Sequence, residues 1–144
     1  MRPVRTADGK RYLLVKRSAD ASLVYDPSTG DETYVGTDRL EPIDDVTGLE
    51  TAAEAIPGPV RRLLGSVHDE RTLGLLVELT DRGPLGVRTL IEETSYCESD
   101  LAGTLGSLTA AGLIVEVEVD SERGYAATEE TKTTISTLRR SATE

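Results

Sequence analysis

Gly112 separates two incompatible periodicities, and a chain carrying that switch is confined there to a helix followed by strand. Before it, Leu101, Leu105 and Leu108 recur at helical spacing. After it, LIVEVEV alternates: Leu113, Val115, Val117 and Val119 share one face, and Ile114, Glu116 and Glu118 the other. Glycine suits the junction, since helices commonly end on a residue with positive φ. The turn DSERG then reverses the chain, and YAAT returns as a second strand. The spacing predicts a helix over 97–111 and a hairpin over 113–128.

Two further helices are predicted upstream. The first covers about 67–82, with Ser66 as its cap and Asp69 as the acid of a capping box. Leu73, Leu75, Leu76, Val77 and Leu79 cover more than one of its faces, which implies burial on two sides. One side meets its own core and the other a partner subunit or the N-terminal module, with Leu75 placed on that second face as the test of a subunit interface. Gly83 and Pro84 end this helix. The second, LGVRTLIEET, turns Val87, Leu90 and Ile91 inward. Ser95-Tyr96 leads into the third helix, which Cys97 caps with Asp100 as box partner.

The run LIEETSYCESDLAGTLGSLTAAGLI resembles the core of a winged helix-turn-helix transcriptional regulator of the MarR/ArsR-like kind, and the likeness extends over about 66–128. The resemblance implies a homodimer on double-stranded DNA, with helix 97–111 in the major groove and wing 113–128 on the backbone. It makes Ser99, Gly103, Thr104 and Ser107 the groove-facing residues. Phosphate contacts are expected from Arg88, from Arg123 at the wing tip and from Lys132, with Arg139 and Arg140 also available. The third helix departs from the usual pattern. Its outward residues are Ser99, Asp100, Ala102, Gly103, Thr104, Gly106 and Ser107, none of them basic, and Glu98 adds a further negative charge. Base readout favours Arg, Lys, Asn or Gln. The alternative is a winged-helix protein-interaction module, docking a protein partner through helix 97–111 or the N-terminal β-module.

The flanks complete an α+β reading. Residues 1–45 read as a small N-terminal antiparallel β-meander, with strands in RYLLVKR, SLVYD and ETYVG. Asp26-Pro27-Ser28-Thr29-Gly30 has the composition of a tight turn. This module reads as a dimerisation or ligand-sensing appendage, or as a passive cap. Residues 46–66 read as a helical linker, broken at Pro57-Gly58-Pro59 before VRRLLGSV. The winged-helix domain occupies 67–128. A last helix, about 129–140 within 129–144, is capped by Thr128 and carries only Ile135 and Leu138 as an apolar stripe.

Composition narrows the function classes. The chain has 144 residues, net charge −10, three lysines against thirteen arginines, and neither Phe nor Trp. Acidic, lysine-poor composition resembles that of proteins from salt-loving archaea, whose surface carboxylates tolerate concentrated salt because salt screens their repulsion. A single Cys rules out an internal disulfide and a thiolate metal cluster, and no Ser/His/Asp or Cys/His set is expected. No catalytic residue, cofactor or metal is expected. No apolar stretch approaches the ~20 residues of a membrane helix, and the N-terminus lacks the apolar segment of a signal peptide. A cytoplasmic location is expected.

Overall fold

The computed structural model describes residues 2–143, which form two compact units that meet in sequence between Gly58 and Pro59. The segment read as a linker is divided between them.

The N-terminal unit is an antiparallel sheet of β1 (Arg2–Arg5), β2 (Arg11–Lys16), β3 (Ala21–Asp26), β4 (Asp31–Gly36) and β5 (Glu41–Pro42), ordered β4-β3-β2-β1-β5. The strands β2 to β4 are those expected from the sequence; β1 and β5 are additions. Pairing of Val4 with Tyr12 and of Val4 with Pro42 sets the outer register. The turn after β3 is held by Asp26, whose carboxylate accepts Ser28 N–H at 3.0 Å and Ser28 O–H at 2.6 Å. Helix α1 (Gly48–Ala52) carries a capping box formed by Thr47 and Glu50, and it packs on β2 and β1.

The second unit contains α2 (Gly58–Ser66), α3 (Glu70–Arg82), β6 (Leu85–Gly86), α4 (Val87–Glu93), α5 (Glu98–Ala110), β7 (Ile114–Val119), β8 (Glu122–Ala127) and α6 (Glu129–Thr143). Three positions differ from the sequence reading. Helix α3 is capped by Asp69, which accepts the Thr72 amide at 2.8 Å, while Ser66 closes α2. That bond holds the Asp69 carboxyl below its usual pKa. Leu75 lies in the core rather than at an interface; the exposed leucine of α3 is Leu73. Ile114 is also buried, and it is Val115 that faces outward. Packing at the α5–β7 junction therefore overrides the strand's alternation at its first residue.

The junction itself is built as its sequence requires. Gly112 has φ of 78°, Leu113 N–H donates to Leu108 C=O at 3.0 Å, and Gly112 N–H donates to Thr109 C=O at 3.0 Å. These are the two bonds of a Schellman cap. The Leu113 carbonyl then accepts from the Thr128 amide at 3.1 Å and the Thr131 hydroxyl at 2.8 Å, tying the start of α6 to the end of α5. Leu76, Leu79, Leu90, Leu101, Leu108 and Leu113 form the centre of the core.

Candidate nucleic-acid interface

Helix α5 buries Leu101, Leu105 and Leu108 and leaves Ser99, Ala102, Gly103, Gly106 and Ser107 exposed. Thr104 is half-buried. Cys97 stands at the cap position, but its side chain makes no capping bond; its sulfur lies 3.5 Å from Ser99 Oγ. Positioning of α5 comes instead from the turn before it. Tyr96 shares a hydrogen bond of 3.2 Å with Thr72 on α3, and the Arg71 guanidinium sits 4.0 Å from the Tyr96 ring centre.

The wing is β7–β8, joined by a two-residue turn. Asp120 and Ser121 both have positive φ, 49° and 66°, and Val119 pairs directly with Glu122. Such a turn matches the twist of paired strands. The tip is therefore Asp120-Ser121, and Arg123 is not at it. Arg123 sits one pair further down β8, opposite Glu118. At Gly124 the backbone of β6 comes close: a Cβ there would stand 2.7 Å from the Leu85 carbonyl oxygen, so glycine is required.

Arg123 lines a cleft of roughly 230 Å³ with Val87, Ile91, Glu98, Ala102, Gly106 and Tyr125. The cleft joins α4, the outward edge of α5 and the wing. Among the described residues Arg123 has no ion-pair partner. The register also puts Glu116 and Glu118 on the same face as Tyr125 and Arg123, so the wing's acids share its basic face rather than opposing it.

The remaining candidates are dispersed. Arg88, with its side chain 87% exposed, lies at the start of α4 and faces Glu122 at 3.9 Å. Lys132 pairs with Glu129 at 3.3 Å on α6, away from the cleft lining. Arg139 is engaged by Asp81 at 2.7 Å, and Arg82 by Glu93 at 2.6 Å. The structure thus gathers Arg123 beside α5 and leaves Lys132 apart. Sequence reading missed Val87, Ile91 and Tyr125 as cleft walls; only their inward spacing pointed to them, and that spacing equally describes core. Among the described residues no cluster of His, Cys, Asp or Glu can hold a metal, and no helix is long and apolar enough to cross a membrane.

Two helices, a turn and a third helix running into a β-hairpin define the winged-helix class. The chain is similar to solved structures that include transcriptional regulators. HlyU from Vibrio cholerae N16961 is 26% identical, over 60% of this chain and 94% of that one, at a TM-score of 0.50. The transcriptional regulator HlyU from Vibrio vulnificus CMCP6 is also 26% identical, over 64% of this chain and 91% of that one, at a TM-score of 0.50. An ArsR-like transcriptional regulator from Rhodococcus sp. RHA1 is 27% identical, over 59% and 80%, at a TM-score of 0.45. No curated protein matches. The chain belongs to a family of unknown function (DUF7346), which matches residues 1–139.

Proposed function

We propose that this protein is a homodimeric, DNA-binding transcriptional regulator of a salt-rich cytoplasm, with α5 in the major groove and the wing on the backbone. The observation that carries this reading is the cleft that brings Arg123 beside the exposed edge of α5. Groove-facing roles fall to Ser99, Gly103, Thr104 and Ser107, and backbone contacts to Arg123, Arg88 and Lys132. So few cations release few counterions, and affinity then falls only gently as salt rises. That suits a protein of net charge −10 working in concentrated potassium chloride. Dimerisation is assigned to the exposed apolar patch of Leu64 on α2, Leu73 on α3 and Leu138 on α6, which are 64%, 38% and 40% exposed.

A second reading, docking of a protein on α5, is favoured by that helix's small, uncharged outer surface and by Glu98 and Asp100 in its first turn. Fluorescence anisotropy with promoter DNA in molar potassium chloride separates the two. A regulator should lose affinity for all sequences alike in Arg123→Ala, since a backbone contact carries little base information. Ser107→Ala should change sequence preference instead. Light scattering on Leu64→Glu should show a monomer with weakened binding. Failure of the wild type to bind any genomic fragment would reject the DNA reading in favour of protein docking.

A further inference from the structure

The N-terminal unit holds a cleft of roughly 440 Å³, a size typical of small-molecule sites. Its walls are apolar: Val4 of β1, Leu14 of β2, Pro42 of β5 and Ile43 just beyond. At its edges stand Arg2 and Arg17, both exposed. Arg2 is directly opposite Leu14 in the β1–β2 register, and Arg17 follows the end of β2.

Of the other cations along β1 and β2, Lys16 does not line the cleft and the remaining three are held in ion pairs. Lys10 pairs with Asp26 at 3.0 Å, Arg11 with Glu54 at 3.0 Å, and Arg5 with Glu41 at 3.8 Å. Among the described residues neither Arg2 nor Arg17 has a carboxylate within ion-pair distance, although Asp44 also borders the cleft. A smaller recess continues from Leu14 and Arg17 to Ser22 and Thr37. Those two hydroxyls already bond each other at 2.7 Å, and Thr37 donates to the Ser18 carbonyl at 2.6 Å. They offer a ligand little, and charge recognition falls to the two guanidinium groups. In a strongly acidic chain, two uncompensated cations over an apolar floor complement an anion that carries an apolar body.

We propose that this cleft binds an amphiphilic carboxylate, its head group between Arg2 and Arg17 and its hydrocarbon on Val4, Leu14 and Ile43. Guanidinium groups bind carboxylates through charge-assisted, often bidentate hydrogen bonds. A small inorganic anion would leave the apolar floor unused, and an amphiphilic cation would meet the two arginines. The assignment is independent of the DNA-binding reading, because its test contains no DNA.

The test is a titration of the full chain with sodium octanoate, followed by amide proton–nitrogen spectra. The expected result is saturable shifts at the Val4, Leu14 and Ile43 amides, with one octanoate per chain. Arg17→Gln and Arg2→Gln should each weaken binding about tenfold, the loss of one charge-assisted contact. Arg39→Gln, an exposed arginine of the same unit outside the cleft lining, should leave affinity unchanged. Octylammonium and inorganic phosphate should not saturate the site. Absence of saturation by millimolar octanoate would overturn the proposal. So would equal binding of octylammonium to the wild type, which decides the matter even if an arginine variant folds poorly.

Discussion

The two units bury different chemistry. The winged-helix unit has a core built mostly of leucine, and its buried threonines are all bonded: Thr131 donates to the Leu113 carbonyl, Thr134 to the Glu130 carbonyl, and Thr72 shares a bond with the Tyr96 hydroxyl. In the N-terminal unit the buried hydrophobic residues are Val4, Leu13, Val24 and Ile43, and they share the interior with Thr6, Ser22, Asp26 and Thr51. The Thr51 hydroxyl has no hydrogen-bond partner among the described residues. Burial of hydrocarbon is indifferent to pH, whereas a buried carboxylate is stabilising only while it stays ionised and bonded. One unit should therefore respond chiefly to lost volume, and the other to lost charge.

The largest effect is expected from volume. Leu76 is fully buried between the helices of the second unit, and Leu76→Ala should cost about 3 kcal/mol through lost transfer energy and the cavity left behind. Hydrogen exchange resolved by segment should show the loss of protection in 59–143. A cost below about 1 kcal/mol would mean that this core collapses around the gap.

The next effect concerns charge and acts in the N-terminal unit. Asp26 is buried, and the Ser28 hydroxyl, with Lys10 behind it, lowers its pKa from 3.8 to about 2 despite the opposing effect of burial. The folded pKa is the depressed one, so the stabilisation is complete above the unfolded value and disappears as pH falls through the folded value. Its size is roughly 2–3 kcal/mol at most, and salt trims the share due to half-exposed Lys10. Acid titration of the wild type should show protection in 2–58 declining between pH 3.8 and about 2. In Asp26→Asn that decline should flatten, with the unit already weakened at neutral pH. An unchanged pH profile in the variant would assign the acid sensitivity to another carboxylate.

The units also differ in how much of them was legible in the sequence. The helix–glycine–hairpin pattern was readable because each signal is local: the leucine spacing, Gly112 at its positive φ, and the return strand. The turn around Asp26 was readable for the same reason. Strands β1 and β5 were not, since RPVR is half basic and β5 comprises only Glu41 and Pro42; only pairing with distant residues makes them strands. Within the candidate site, the misplacement of Arg123 follows from turn length. DSERG reads as a five-residue reversal, but Asp120 and Ser121 make the turn alone, moving Arg123 off the tip and into the strand. SVHD reads as a capping box with Ser66 as the cap, but α2 runs on through Ser66, and the cap of α3 passes to Asp69, the residue read as the box acid. Leu75 and Leu73, two residues apart on a helix, could be assigned to core and surface only once α3 had neighbours.

The smallest effect divides α5 from α3 within one unit. Gly106 on α5 and Gly74 on α3 are both exposed, and a Cβ built on either meets nothing within 4 Å. Neither glycine is needed for internal packing, so alanine should stabilise each helix by roughly 0.5–1 kcal/mol. Their surroundings differ: Gly106 borders the cleft of Arg123 beside the wing, whereas Gly74 borders a groove lined by α3, α4 and the Thr94–Tyr96 turn. If α5 enters the major groove closely, Gly106→Ala should raise the denaturation midpoint and weaken DNA binding together, opposite signs that no folding defect produces. Gly74→Ala should raise the midpoint and leave DNA binding alone. Paired denaturation and anisotropy measurements on the two variants make the comparison. Equal DNA affinity in both would mean that Gly106 reflects only a weak helix, and that the duplex, if bound, stays clear of the α5 surface.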